Sequence, residues 1–533
     1  MATSYQTPGI YVEEMPSGSH PIEGVGTSIA AFVGFAEMGP RNAPTLVTNW
    51  SQYRDKFGGF VNQPFTYYLP HAVFGYFNNG GTICYVVNIA PSLAPQATIP
   101  ALPNGDGAAA AALEIHAVRQ GLNPKLTGLG VTISYADQPA GGDAAPPAGD
   151  GGSSAPAVAP SASTPFKVEV RADNKVQETW TVTMDRESPL YVETVINGQS
   201  QFLWMTAPSG KGSAPAASAE PYALAKPASP SLQIGTTDFQ GDVKARSGIA
   251  GLEAREDITI VAVPDLMSAF KQGLITEEGI IGLQVAMKDH SENMQGRVAI
   301  LDAPPDLDPQ AMSEWRSTLG IDSSYAMLYY PWIKVLDPFD PTGKHLLDIP
   351  PCGHMAGIWA RTDSTRGVHK APANETVRGV VNVSQELTDG EQGILNPIGV
   401  NCVRSFGAAG IRVWGARTLA EVDKSWKYIN VRRLFNYIES SIKLGTRWAV
   451  FEPNDQSLWG KLKRDISAFL SGPYRAGALF GETPDQAFYV KCDAETNPAD
   501  QIDNGMVVVE VGICPVKPAE FVIFRIQQLP TGG

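Results

Sequence analysis

A multidomain α/β and α+β protein with a β-rich insertion is the fold class this sequence predicts, on three observations. From residue 246 to about 332, apolar strand-like runs alternate with helix-like periods, as in a sheet with parallel neighbours. Residues 96–245 instead show period-two runs between tracts of Ala, Gly, Pro and Ser, the pattern of an inserted antiparallel β domain. Both ends carry short apolar extended runs with little chain beyond to cover them: 10–14 at the start, 506–517 and 518–527 at the end. Such strands leave main-chain donors and acceptors open to a strand from another copy.

Residues 1–20 read as an extended arm, followed over 21–95 by short α/β pieces. Helices are expected at 50–60 and 67–77, and a buried strand at 82–90, where β-branched and aromatic residues follow Gly80-Gly81. In the insertion, alternating runs at 113–118, 131–135, 166–170, 180–184 and 202–205 predict strands. The tracts 139–165 and 207–230 bury too little to offset chain entropy and are expected to be flexible. In the 246–400 body, strands are expected at 258–263, 297–301 and 325–332, and helices at 277–290 and 309–319, the second opened by Asp308-Pro309. In the 401–515 domain, Leu419, Val422, Trp426, Ile429, Leu434, Ile438 and Ile442 recur at helical spacing and predict one long amphipathic helix. A second helix at 457–470, a loop at 471–478 and a strand at 488–492 precede the terminal strand pair, whose last member begins the 516–533 arm.

At 533 residues the chain exceeds one hydrophobic core, so two to four domains are expected. Its 43% hydrophobic and 18% charged residues are ordinary for a globular protein. The longest apolar run, 29–36, is broken by Gly34 and falls short of a membrane span, so no direct membrane insertion is expected. The first residues lack a basic stretch and apolar core, which predicts no signal peptide and assembly in the bacterial cytoplasm. Five scattered cysteines without CxxC spacing predict buried thiols, not a disulfide framework. A net charge of −14 argues against nucleic acid as a partner. The charge is uneven: residues 401–480 hold thirteen Lys and Arg against six Asp and Glu, a balance of +7 that leaves −21 elsewhere. Those cations either pair within the domain or face an acidic partner.

Catalytic patterns are missing. There is no GxxxxGK[ST] phosphate cradle, HExxH or GxSxG, and Gly24-Val25-Gly26 lacks the third glycine of a dinucleotide fingerprint. Cys352, His354 and His369 offer three metal-type ligands without a fourth, and a helix start and basic loop explain them better. Asp302, Asp306 and Asp308, like Asp337 and Asp340, stand beside prolines as caps and turns do. No enzyme activity, catalytic residue, cofactor or metal is expected.

Several long ordered segments nevertheless resemble a known family. GIRVWGARTLA at 410–420, the run 428–443, GTRWAVFEPNDQ at 445–456, FYVKCD at 488–493, TNPADQIDNG at 496–505 and PVKPAEFVIFRIQ at 515–527 are similar to contractile tail sheath proteins of myophage tails, R-type tailocins and phage-tail-like injection systems. The segments 351–375 and 8–15 fit the same pattern, so the resemblance spans 1–95 and 246–528. It departs at Gly407-Ala408-Ala409-Gly410, where the family often has a Pro-Gly-Arg-Gly turn, so no role of that arginine carries over. The insertion matches nothing specific; in the family such insertions vary and point outward.

The resemblance implies a structural subunit that polymerises helically around an inner tube and contracts to drive it through a target membrane, without nucleotide. It implies as partners further copies of the chain, the inner tube protein, and baseplate and tail-terminator or cap proteins. The particle would be a phage tail or tail-like particle, released or cell-anchored. On it, Ile10, Tyr11, Val12 and Glu13 at one end and Phe521, Val522, Ile523, Phe524, Arg525 and Ile526 at the other are exchanged strands between copies. Lys461, Lys463 and Arg464 on the second helix of the inner domain are tube-facing candidates. A non-contractile shell or tube-forming protein is the alternative, and an α/β enzyme a more distant one.

Overall fold

The computed structural model describes residues 20–62, 65–90, 95–101, 111–122, 126, 128–135, 160–197, 199–207, 214–218, 220–225 and 234–525. Two compact units account for the chain. One comprises 27–365 with 371–429; the other comprises 1–26, 366–370 and 430–533. The boundary therefore falls near Asn430, not at 401, because Val400–Ser405 and Ile411–Val413 complete the sheet of the larger unit.

That sheet has eight strands, six of them parallel: Cys84–Asn88, Ala30–Gly34, Ile260–Ala262, Val298–Asp302, Ala326–Tyr330 and Val400–Ser405, in that spatial order. Thr45–Val47 and Ile411–Val413 close the two edges antiparallel. Every residue of the first five parallel strands is buried, so both faces are covered. Such strands read as continuous apolar runs and not as alternations, the signal the sequence carries. Between them lie the helices Trp50–Phe57, Leu69–Asn79, Asp265–Lys271, Glu277–Met294 and Pro309–Leu319. Asp308 caps the last by accepting from the Ala311 N–H at 2.8 Å, as expected from Asp308-Pro309.

The insertion folds as two antiparallel sheets about a core of its own. One pairs Gln96–Pro100, Ala111–Ala117 and Leu203–Thr206; the other orders Tyr222–Ala223, Leu129–Ser134, Phe166–Ala172 and Lys175–Val182. Ile115, Val131, Val168, Val182 and Met205 are fully buried between them. All five strands expected from period-two patterning are present, and the Ala/Pro-rich tracts fall largely outside the described residues.

Two expectations are corrected in the 401–515 stretch. The long helix starts at Ile429, not Leu419. Leu419 donates its N–H to the Ala326 carbonyl at the sheet end, while Val422 is 86% exposed, so the apparent period joined residues with unrelated tasks. The second helix, Gln456–Arg475, runs five residues into the expected loop 471–478, with Pro473 in its last turn. The Cys514 thiol is exposed while the other four are buried, and no disulfide forms among the described residues. No helix among them is long and apolar enough to cross a membrane.

Candidate assembly interface

The smaller unit is built on the helices Ile429–Gly445 and Gln456–Arg475, with a core of Leu434, Ile438, Ile466, Leu470, Leu479 and Val490. A second apolar cluster joins Leu458, Trp459 and Leu462 to Cys492. Asp455 caps the second helix, accepting from the Leu458 N–H at 2.8 Å.

Beside these helices lies a two-stranded antiparallel sheet, Phe488–Lys491 with Glu510–Ile513. The chain past it stays pinned for three more residues: Phe480 N–H donates to the Cys514 carbonyl at 2.7 Å, and Val516 N–H to Ala478 at 3.2 Å. Of the expected strand 506–517, Glu510–Ile513 forms, paired with Phe488–Lys491. Pro515 and Pro518 lack backbone donors, and the chain leaves the ladder there. Residues 517–525 form no strand within the chain, and Phe521, Val522, Ile523 and Phe524 are 71%, 70%, 78% and 82% exposed. Arg525 is also exposed, and Ile526 lies outside the described residues.

At the other end, Ile10, Tyr11, Val12 and Glu13 lie outside the described residues, but the segment they lead into does not. Residues 20–25 run along one face of the first helix, meeting positions 437, 441 and 445, which are four apart and so share a side. A Cβ on Gly24 would come within 2.2 Å of the Tyr437 hydroxyl; Val25 N–H donates to Ser441 Oγ at 3.1 Å; a Cβ on Gly445 would come within 2.6 Å of Ile22 Cγ2. His20 stacks on Trp448, and its N–H reaches Asp465 Oδ2 at 3.4 Å. Both chain ends thus depart from the same unit, a relation that sequence reading missed because the contacting positions are over 400 residues apart.

The three basic candidates are all exposed on the Gln456–Arg475 helix, whose buried face is Leu458, Trp459, Leu462, Asp465, Ile466 and Leu470. Lys461 and Arg464, three apart, share a side; Lys463 points away from Lys461. Lys463 lies close enough to Cys492 for its charge to oppose the burial that raises that thiol's pKa. Arg464 pairs with the buried Asp465 at 3.1 Å. Some of the 401–480 cations are paired: Arg404 bonds Asp389, outside the stretch, at 2.7 Å, and Arg432 bonds Asn436 and Glu439 within it.

Cys352 and His354 occupy the first turn of the largely buried helix Cys352–Arg366. Burial lowers the His354 pKa to about 3, with His71 adding to the shift. No group of three or more His, Cys, Asp or Glu suited to a metal ion exists among the described residues.

Comparison with known proteins bears on this arrangement. Residues 282–419 match the phage tail sheath protein central domain, and residues 421–528 the phage tail sheath C-terminal domain. A tail sheath protein of Vibrio phage KVP40 is 24% identical over 51% of this chain; the chain spans about 40% of that relative's length. The tail sheath protein of Burkholderia phage BcepMu is 23% identical, with 98% of this chain and 96% of the relative aligned. The helical sheath of the anti-feeding prophage in its contracted state superposes with a TM-score of 0.56 at 22% identity, covering 98% of this chain and 100% of the other, a likeness of fold.

Proposed function

The chain belongs to the tail sheath family, and we propose from this premise that it is the structural subunit of a contractile sheath. Copies polymerise helically around an inner tube and shift to a shorter packing that drives the tube through a target membrane. Links between copies are strands: residues 10–13 of one copy and 521–526 of another complete the Phe488–Lys491/Glu510–Ile513 sheet of a third.

One observation carries this reading: four consecutive large apolar side chains, Phe521 to Phe524, stand exposed just past a sheet of only two strands. A two-stranded sheet is marginal alone and gains from a third or fourth member. Burying the four side chains contributes on the order of 6–12 kcal/mol gross. That is comparable with the roughly 4–15 kcal/mol cost of association, so one arm alone holds weakly and the lattice needs both. Alternation places Phe521 and Ile523 on one face and Val522 and Phe524 on the other, which sets register. Because both arms depart from one unit, that unit can stay linked while the rest of the subunit reorients. Lys461 and Arg464 present charge to an acidic tube surface. A head-to-tail contact that does not close yields a helix, the geometry a tube cover needs. Assembly takes place in the bacterial cytoplasm, with baseplate and cap proteins bounding the polymer.

Electron microscopy of the chain lacking residues 1–14 tests the reading. The truncated protein is expected to fold as a monomer and to form no long sheaths; ordered sheaths would refute strand exchange. Full-length particles of one length and width only would favour a static shell.

A further inference from the structure

Numbered along the chain, the six parallel strands of the large sheet lie in the order 2-1-3-4-5-6, a doubly wound arrangement. The winding reverses between Ala30–Gly34 and Ile260–Ala262. In such sheets an anionic ligand group sits at the carboxyl ends of these strands, against the N-terminus of the helix that follows the first. That place is filled here by the chain itself. Asp265, three residues past Ala262 and fully buried, accepts from Phe35 N–H at 2.6 Å, Tyr68 N–H at 2.5 Å and Leu69 N–H at 3.0 Å. Phe35 directly follows the first strand, and Leu69 opens the helix Leu69–Asn79, which has no side-chain cap of its own. Gly34 leaves room for the carboxylate: a Cβ there would lie 2.4 Å from Oδ2.

Two further observations bear on this place. The buried hydroxyls of Tyr53 and Tyr67 have no hydrogen-bond partner, and the Asp265 charge adds to the burial that raises both phenol pKa values. One strand further on, Asp302 repeats the device, accepting from the Cys352 N–H at 3.0 Å where the helix Cys352–Arg366 begins. Burial pushes the Asp265 carboxyl up to about 7 despite its three donors.

We propose that the switch point of this sheet is a built anion site whose ligand is the chain's own Asp265 carboxylate, and that shortening this side chain leaves a pocket for a small monocarboxylate such as formate. The internal ligand ties residues 35, 68 and 69, before the insertion, to residue 265 after it, so the sheet stays whole across the interruption. The test compares the full-length chain, wild type, Asp265→Gly and Asp265→Asn, by thermal melting at pH 8 in sodium formate and in equal sodium chloride. Asp265→Gly is expected to melt below wild type and to recover in formate but not chloride, with a shift that grows with the logarithm of formate concentration. Wild type and Asp265→Asn, whose pockets stay filled, should respond alike to both salts. If Asp265→Gly is unfolded in chloride, refolding from urea in formate supports the proposal, and failure in both salts overturns it. Equal effects of the two salts on all three chains overturn it as well.

Discussion

The imidazole of His20 stacks on the indole of Trp448, with ring centroids 4.5 Å apart and planes inclined by 26°. This contact holds the segment 20–25 at the end of the helix pair, in the unit that also contains residues 517–525. If residues 10–13 pair with another copy as proposed, a loosely held segment 20–25 would offer them over a wider volume and gain less from pairing.

Gly445→Ala isolates that segment. Replacing glycine by alanine within a helix contributes up to about 1 kcal/mol, so the isolated monomer should lose no helical stability. The new Cβ would meet Ile22 Cγ2 at 2.6 Å and displace the segment 20–25. Sheath yield by sedimentation should fall while the melting temperature holds, and Ile22→Ala in the same chain should restore assembly.

Charging the C-terminal arm should separate folding from assembly in the same way. Phe521→Asp with Ile523→Asp changes two side chains that are 71% and 78% exposed, so monomer stability should move by less than about 0.5 kcal/mol. In a strand buried between copies the same charges are costly, and long sheaths should be lost in electron micrographs.

Charge reversal on the second helix discriminates between its two sides. Lys461→Glu, which leaves the Arg464–Asp465 pair in place, should weaken co-sedimentation with preformed tubes and leave the monomer folded. Lys463→Glu, on the flank near Cys492, should have a markedly smaller effect. Wild-type binding to the tube should weaken as salt rises.

The large unit carries opposing pH dependences. Burial lowers the His71 and His354 pKa values to about 4 and about 3. The folded state therefore resists protonation there; this stability is complete above about 6.5 and is lost as pH falls toward those values. Asp302, raised by burial to about 7, acts oppositely: the folded state takes its proton first, so its contribution improves as pH falls from 7 toward 4. Urea titrations between pH 6.5 and 4.5 should show stability declining less steeply in His354→Gln and more steeply in Asp302→Asn, each by about 1.4 kcal/mol per pH unit at most.

How much of this was legible in the sequence depended on the range of the physics. The strands at 84–88, 260–262, 298–302 and 326–330 were legible because burial on both faces demands unbroken apolar runs. The insertion strands followed from their alternation, and the helix at 309 from Asp308-Pro309. What failed were readings in which local pattern and tertiary task diverge. Leu419 fitted a helical period yet serves the sheet end, and Gly472-Pro473 signalled a break that the helix absorbs in its last turn. The tie from Asp265 to Leu69 leaves no local trace, because its donor and acceptor are 196 residues apart. In the smaller unit, the exposed apolar run at 521–524 was legible, but the pairing of 510–513 with 488–491 was not, because no turn signal announces its register.

The central claim is that the two-stranded sheet Phe488–Lys491/Glu510–Ile513 is completed by strands from other copies. A helical reconstruction of assembled sheaths at side-chain detail tests it most directly. The account predicts four strands in every such sheet, the two added ones being residues 10–13 and 521–526 of two different neighbours. Sheets of two strands, with 521–526 lying against their own subunit, would contradict it.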